Sequence, residues 1–154
     1  AHLQHIQNPE TRSIMARDWA DQRRSALLSE GISFASETVF SHVSKLTLIE
    51  QAAKQGFYVS LLIVGLDDPK RLLDRVKQRV KEGGHSVPDE RILARYPRTL
   101  SNLKLAIPIA HMALLYDSDD ARHAGHELVA ICQDGQLIQQ APSLPQWVKT
   151  ILNI

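Results

Sequence analysis

Between Gly56 and the Asp68-Pro69 pair lies the run Phe57 to Val64, in which only Ser60 is not an apolar or aromatic residue. A nearly continuous apolar stretch of this length is the pattern of a strand covered on both faces in a parallel sheet. That requirement constrains the rest of the chain, because other elements must supply both covers. The 154 residues leave room for one domain, able to bury roughly 70% of its unfolded surface. With 44% hydrophobic and 23% charged residues, the composition is that of an ordinary globular protein.

The segments around this strand divide into helix-then-strand units, with no internal repeat or low-complexity stretch. Asn8-Pro9 reads as an N-cap with proline at the first helical position. The helix behind it is expected to run to about Glu30, with Gly31 as its stop and Ile32 to Ser36 as a short strand. A second helix is expected from about Val43 to Gln55, with Leu46, Ile49 and Ala53 on one face. Asp68-Pro69 opens a third helix with the apolar stripe Leu72, Leu73, Val76 and Val80, which Gly83-Gly84 stops. Ser86 and Asp89 are candidate caps for a fourth, running to about Lys104 with a kink at Pro97. His111 to Tyr116 reads as a strand, Glu127 to Gln140 as a hairpin turning at Asp134-Gly135, and Trp147 to Leu152 as a closing helix. This alternation predicts an α/β fold with a largely parallel sheet and flanking helices. Ligands of such sheets sit beyond the carboxyl ends of the strands, where Glu37 and Asp117 fall.

Charge and cysteine content narrow the function classes. Lys plus Arg number 18 against 17 Asp plus Glu, which supplies no general basic surface for nucleic acid. The longest apolar run, Leu61 to Leu66, is far short of a bilayer span, and the first ten residues hold no secretory h-region. One cysteine, Cys132, leaves no internal disulfide, so a reducing, cytoplasmic location is expected. The chain opens on Ala and is expected to be processed or part of a longer protein.

The residues with most chemistry lie between Arg71 and Asn102. Arg71, Arg75 and Arg79 recur at i, i+4, i+8 on one helix face, and Arg91, Arg95, Arg98 and Asn102 share a face of the next helix. Gly83-Gly84-His85-Ser86-Val87-Pro88 joins them. Two arginine-bearing helices around a permissive loop suit a polyanion, since guanidinium forks match phosphate oxygens in pairs. The alternative is two solvated faces. Glu37, at the end of a strand, is placed to orient or deprotonate a hydroxyl, or else to cap a helix. Asp21 is a weaker companion in the preceding helix. His85 sits in the loop without a second ligand at metal spacing. His123 and His126, beside Asp119 and Asp120, are a weak metal pair or a polar surface loop. Cys132 fits a buried small residue.

Taken together, Gly-Gly-His-x-Val-Pro, Ile92, Arg95-Tyr96, Arg98 and Asn102 resemble the zeta-toxin-like family of P-loop kinases. Phe34-Ala35-Ser36-Glu37-Thr38 is similar to that family's Phe-x-x-Glu-Thr segment, and Tyr116-Asp117-Ser118 to a later strand end. The resemblance runs from about Asn8 to Trp147. It implies a P-loop-kinase-like parallel sheet, ATP and Mg²⁺ as cofactors, and transfer of a phosphoryl group to a small-molecule hydroxyl. Toxin members phosphorylate a UDP-linked amino sugar, and an antitoxin protein is an implied partner. By the same resemblance Glu37, Arg95 and Arg98 are catalytic. Arg79, His85, Arg95 and Arg98 form the lid over ATP, within 68–104, and Glu37 and Thr38 meet the acceptor, with Asp21 expected beside them from its position in the preceding helix. No residue is assigned to a metal. Two departures stand out. Ser41 occupies the position of an expected arginine, and no G-x-x-x-x-G-K-[ST] occurs anywhere in the chain. The family pattern places that loop in a first βαβ unit ahead of Ala1, and its absence is expected to leave unpaired strand edges beside His111 to Tyr116. Either an ATP-dependent phosphotransferase or a non-catalytic nucleotide- or protein-binding remnant of that fold is therefore expected.

Overall fold

Local capping chemistry sets the helices. In the computed structural model, which describes residues 8–84, 86–118 and 125–154, helix α1 spans Pro9–Ser29. The Asn8 carboxamide accepts the Thr11 N–H at 3.1 Å, as an N-cap should. Helices α2 (Ser44–Lys54), α3 (Lys70–Lys81), α4 (Asp89–Ala106) and α5 (Gln146–Leu152) follow. Helices α2 and α3 end alike: the Phe57 N–H returns to the Ala52 carbonyl at 3.0 Å, and the Gly84 N–H to the Arg79 carbonyl at 2.8 Å. The residues before these donors, Gly56 and Gly83, sit at φ +83° and +93°, where a side chain would be strained. Helix α4 differs from expectation. Pro88 precedes it with no side-chain cap, and Asp89 and Glu90 in its first turn instead oppose the positive end of the helix dipole.

The chain forms two compact units, one up to Glu37 and one from Thr38 to Ile154. The first contains α1. The strand expected over Ile32–Ser36 is absent, and the segment is irregular. Its composition suits a strand, but a strand persists only where a neighbour takes its backbone groups. All strands of the sheet lie in the second unit.

That unit is an α/β fold, a four-stranded mixed sheet flanked by helices. Its strands are β1 (Ser60–Gly65), β2 (Met112–Asp117), β3 (Glu127–Gln133) and β4 (Gln136–Gln140), in spatial order β1-β2-β3-β4. Strands β1 and β2 are parallel, whereas β2–β3 and β3–β4 are antiparallel. The largely parallel sheet expected from the alternation is thus corrected. Asp134 and Gly135, at φ 49° and 77°, make the tight turn of a hairpin. The connection from Asp117 to Glu127 is shorter than the dozen or so residues a parallel crossover needs.

Strands β1 and β2 pair along their whole length, from Ser60 opposite Met112 to Gly65 opposite Asp117. His111 locks the start of this ladder. Its Nδ1 accepts the Val59 N–H at 3.1 Å, its own N–H donates to the Val59 carbonyl at 3.0 Å, and its ring stacks on Tyr58. With β1 on one side and β3 on the other, β2 has no unpaired edge, in contrast to the expectation for this strand.

One sheet face carries the core. Ile63, Ala113, Leu115, Ala130 and Cys132 pack with Leu46 and Ile49 of α2, Leu103 and Ala106 of α4, and Trp147, Val148 and Ile151 of α5. The opposite face of β1 is open, with Leu62 69% and Val64 51% exposed. The apolar run at 57–64 therefore forms an edge strand covered on one face, not the doubly covered strand its composition predicts. Among the described residues no helix is long and apolar enough to cross a membrane.

Candidate functional site

At the carboxyl end of β1 the second unit opens into a cavity of about 410 Å³. Its walls are α3 and α4, and the segment at Thr38 and Val39 lies along one side. Two hydrogen bonds from α4 hold that segment. Thr99 Oγ1 donates to the Val39 carbonyl at 3.0 Å, and Asn102 Nδ2 to the Phe40 carbonyl at 2.9 Å. Phe40 itself adopts φ 60° and buries its ring in the core. Thr99 and Asn102 follow Arg95 at i+4 and i+7, so one stripe of α4 both anchors this segment and presents the arginine.

The middle of α3 is tied across the strand ends. Arg75 donates from one guanidinium nitrogen to Ser118 Oγ at 3.0 Å and from another to the Ser118 carbonyl at 2.6 Å. Ser118, buried just after β2, donates its hydroxyl to the Gly65 carbonyl at 3.0 Å. Tyr96 closes the same end from α4, donating to the Leu66 carbonyl at 2.8 Å. Burial pushes the Tyr96 phenol above its ordinary value, and the charges of Asp67 and Asp68 push it the same way.

Charged groups on this lining are all of one sign. Arg75, Arg79 and Arg95 line the cavity, and no carboxylate, histidine or cysteine does so among the described residues. Arg95 is half-buried, with no hydrogen-bond or ion-pair partner for its guanidinium among the described residues. Gly84 leaves room for Arg79, because a Cβ there would lie 2.8 Å from Arg79 Cγ. Guanidinium groups beside apolar walls attract anions more strongly than they would in bulk water.

The residues singled out from the sequence divide accordingly. Arg79, Arg95 and Thr38 line the cavity. Arg98 does not. It is exposed and donates from Nε to the Ala94 carbonyl of its own helix at 2.8 Å. Glu37 is exposed, and Asp21 pairs with Arg24 within α1, which in turn reaches Ser36 at 3.3 Å; all belong to the first unit. His85, His123, Asp119 and Asp120 lie outside the described residues. Asp117, marked as a strand-end acid, accepts the Trp147 indole N–H at 3.0 Å. Asp67 Oδ1 and Oδ2 accept the N–H groups of Trp147 and Gln146, capping α5. Sequence spacing missed Ser118, Thr99, Leu66 and Trp147 as lining residues. The placement of Thr99 one turn beyond Arg95, and of Ser118 at the end of the Tyr116-Asp117-Ser118 segment, are the signals that could have found two of them.

This donor set suits an anionic group and not a divalent cation. Mg²⁺ needs hard oxygen ligands. The nearby carboxylates of Asp67 and Asp117 are engaged with α5, and no cluster of three or more His, Cys, Asp or Glu that could hold a metal occurs among the described residues.

Comparison with known proteins adds one relative. Over 90 residues the chain is 32% identical to a Haemophilus influenzae protein described only as uncharacterized. The match covers 58% of this chain and 64% of that protein, so the chain spans less than two thirds of its relative's length. No family model matches the chain. No solved structure matches it either.

Proposed function

We propose that this chain supplies the phosphate-gripping part of a zeta-toxin-like, P-loop-kinase-like phosphotransferase, and that the cavity between α3 and α4 binds the phosphates of a nucleotide such as ATP. The observation that carries this reading is the convergence of Arg75, Arg79 and Arg95, from two helices, on one cavity lined by no acid among the described residues. Arg95 is the principal ligand. Arg75 and Ser118 position α3, and Asn102 and Thr99 position the segment at Thr38. In such a transferase the guanidinium groups neutralise charge on the phosphoryl group as it moves, an electrostatic contribution that needs no proton transfer from the cavity wall. Glu37 is the proposed group for the acceptor hydroxyl.

A second reading, binding without transfer, is favoured by the engagement of the Asp67 and Asp117 carboxylates with α5. Calorimetric titration with ATP, with and without Mg²⁺, beside a γ-phosphate transfer assay on small hydroxyl acceptors, separates the two. Arg95→Ala is expected to weaken ATP binding by about tenfold or more, the range for a hydrogen bond to a charged group. Transfer abolished by Arg95→Ala supports the first reading, and binding with no transfer supports the second. Failure of the unmodified chain to bind ATP overturns both.

A further inference from the structure

The cavity's floor differs sharply from its charged rim. Ile63, Leu66, Ile92, Leu103 and Trp147 line it and are each less than a tenth exposed, whereas Arg75 and Arg79 are on the exposed side of α3 and Arg95 is half-buried. Three of the four hydroxyls on the lining already spend their protons on protein, while the fourth, that of Thr38, accepts the Phe40 N–H at 3.3 Å. Thr99 donates to the Val39 carbonyl, Tyr96 to the Leu66 carbonyl and Ser118 to the Gly65 carbonyl. A ligand body rich in hydroxyls, such as a sugar, would give up its water here for few partners. An apolar body has no hydrogen bonds to water to lose and gains by leaving it, and about 410 Å³ is within the range of pockets that enclose small molecules.

We propose that the cavity takes a phosphate monoester carried on an alkyl or aromatic body, with the phosphate held by Arg95 at the rim and the body seated on the buried floor. This inference rests on the arginine-lined cavity being an anion site. It does not require phosphoryl transfer. It names a ligand class in which apolar area decides affinity, and it disfavours sugar phosphates of similar size and charge.

The full chain carries a convenient reporter. Trp147 forms part of the floor, and the other tryptophan, Trp19, is 61% exposed on α1, so Trp19→Phe leaves Trp147 as the sole indole. In that background, Trp147 fluorescence and calorimetry are followed on addition of butyl phosphate, hexyl phosphate, glucose 6-phosphate, inorganic phosphate and hexanol. Affinity is expected to rise about fifteenfold from butyl to hexyl phosphate, following roughly fourfold per buried methylene. Hexyl phosphate is expected to outbind glucose 6-phosphate by at least tenfold. Arg95→Gln is expected to weaken hexyl phosphate about tenfold while leaving hexanol unchanged, and Lys149→Gln, the same charge loss at an exposed position of α5, to change neither. Equal affinity for hexyl phosphate and glucose 6-phosphate, or no dependence on chain length, overturns the proposal. ATP binding that depends on Arg95, with no alkyl phosphate binding, overturns this inference alone. No binding of any phosphate compound overturns the anion-site reading with it.

Discussion

The indole N–H of Trp147 donates to the Asp117 carboxylate at 3.0 Å, joining the first turn of α5 to the carboxyl end of β2. The backbone N–H of the same residue donates to Asp67, just past β1. Two acids from two strand ends therefore hold one tryptophan, and that tryptophan forms part of the cavity floor. These carboxylates stand where a ligand-binding role would otherwise be sought, and both oxygens of Asp67 and Oδ1 of Asp117 are committed to the scaffold.

Removing one acceptor tests this arrangement. Asp117→Ala leaves a buried indole N–H unpaired and is expected to lower stability by about 1–3 kcal/mol. Asp117→Asn keeps an acceptor and is expected to cost less. Urea unfolding followed by far-UV circular dichroism reads both, and a pair of variants equal to the unmodified chain would show that the bond contributes nothing.

The close approach of Trp147 to β1 gives a second test. A Cβ on Gly65 would lie 2.7 Å from Trp147 Cδ2 and Cε2, nearer than real side chains come. Gly65→Ala is expected to cost about 1–3 kcal/mol by overpacking and to shift Trp147 emission. Gly125→Ala, where an added Cβ meets nothing within 4 Å among the described residues, is the matched control and is expected to be near neutral.

Tyr96 predicts an alkaline limb of the stability profile. Burial, then Asp67 and Asp68, raise its folded pKa above the ordinary value of 10.0, so the folded state keeps its proton longer than the unfolded state does. The associated stability is fully present below about pH 10 and is lost as pH rises from there through the folded pKa. Tyr96→Phe should flatten that limb while costing about 1 kcal/mol at neutral pH through the lost bond to Leu66. Unfolding free energies between pH 8 and 11, an arbitrary span of about three units around the phenol's usual range, measure the slope.

How far these features are visible in the sequence depends on how local they are. Helix ends at Gly56 and Gly83, and the hairpin at Asp134-Gly135, are written in neighbouring residues, and the structure has them where spacing puts them. Pairing is not local. Nothing in Ile32–Ser36 says whether a neighbouring strand exists to take its hydrogen bonds, and nothing in Phe57–Val64 says that one face of β1 stays open. The site shows the same division. Helical spacing put Arg95 and Arg98 on one face, yet Arg98 turns back to the Ala94 carbonyl while Arg95 lines the cavity. The Asp67 cap on α5 joins residues about 80 apart, beyond the reach of any spacing rule.

Cys132 offers a probe of core opening. It is 1% exposed, and burial pushes its thiol pKa up, so both access and thiolate fraction are low. Disulfide reagents are expected to label it far more slowly than the unfolded chain, at a rate that rises with urea. Rapid labelling of the native protein would show that β3 opens readily.

The pairing of β1 with β2 also sets an order of assembly. Val59 and His111, which start that ladder, are 52 residues apart, with α3 and α4 between them. The β3–β4 hairpin needs only its own turn and is expected to form in roughly microseconds, before so long a loop can close. Pulse-labelled hydrogen exchange should accordingly protect β3 and β4 amides before those of β1. Until β1 docks, Leu62 and Val64 lie on a strand with both edges unsatisfied, and the newly made chain is then at its most vulnerable to pairing with a neighbour.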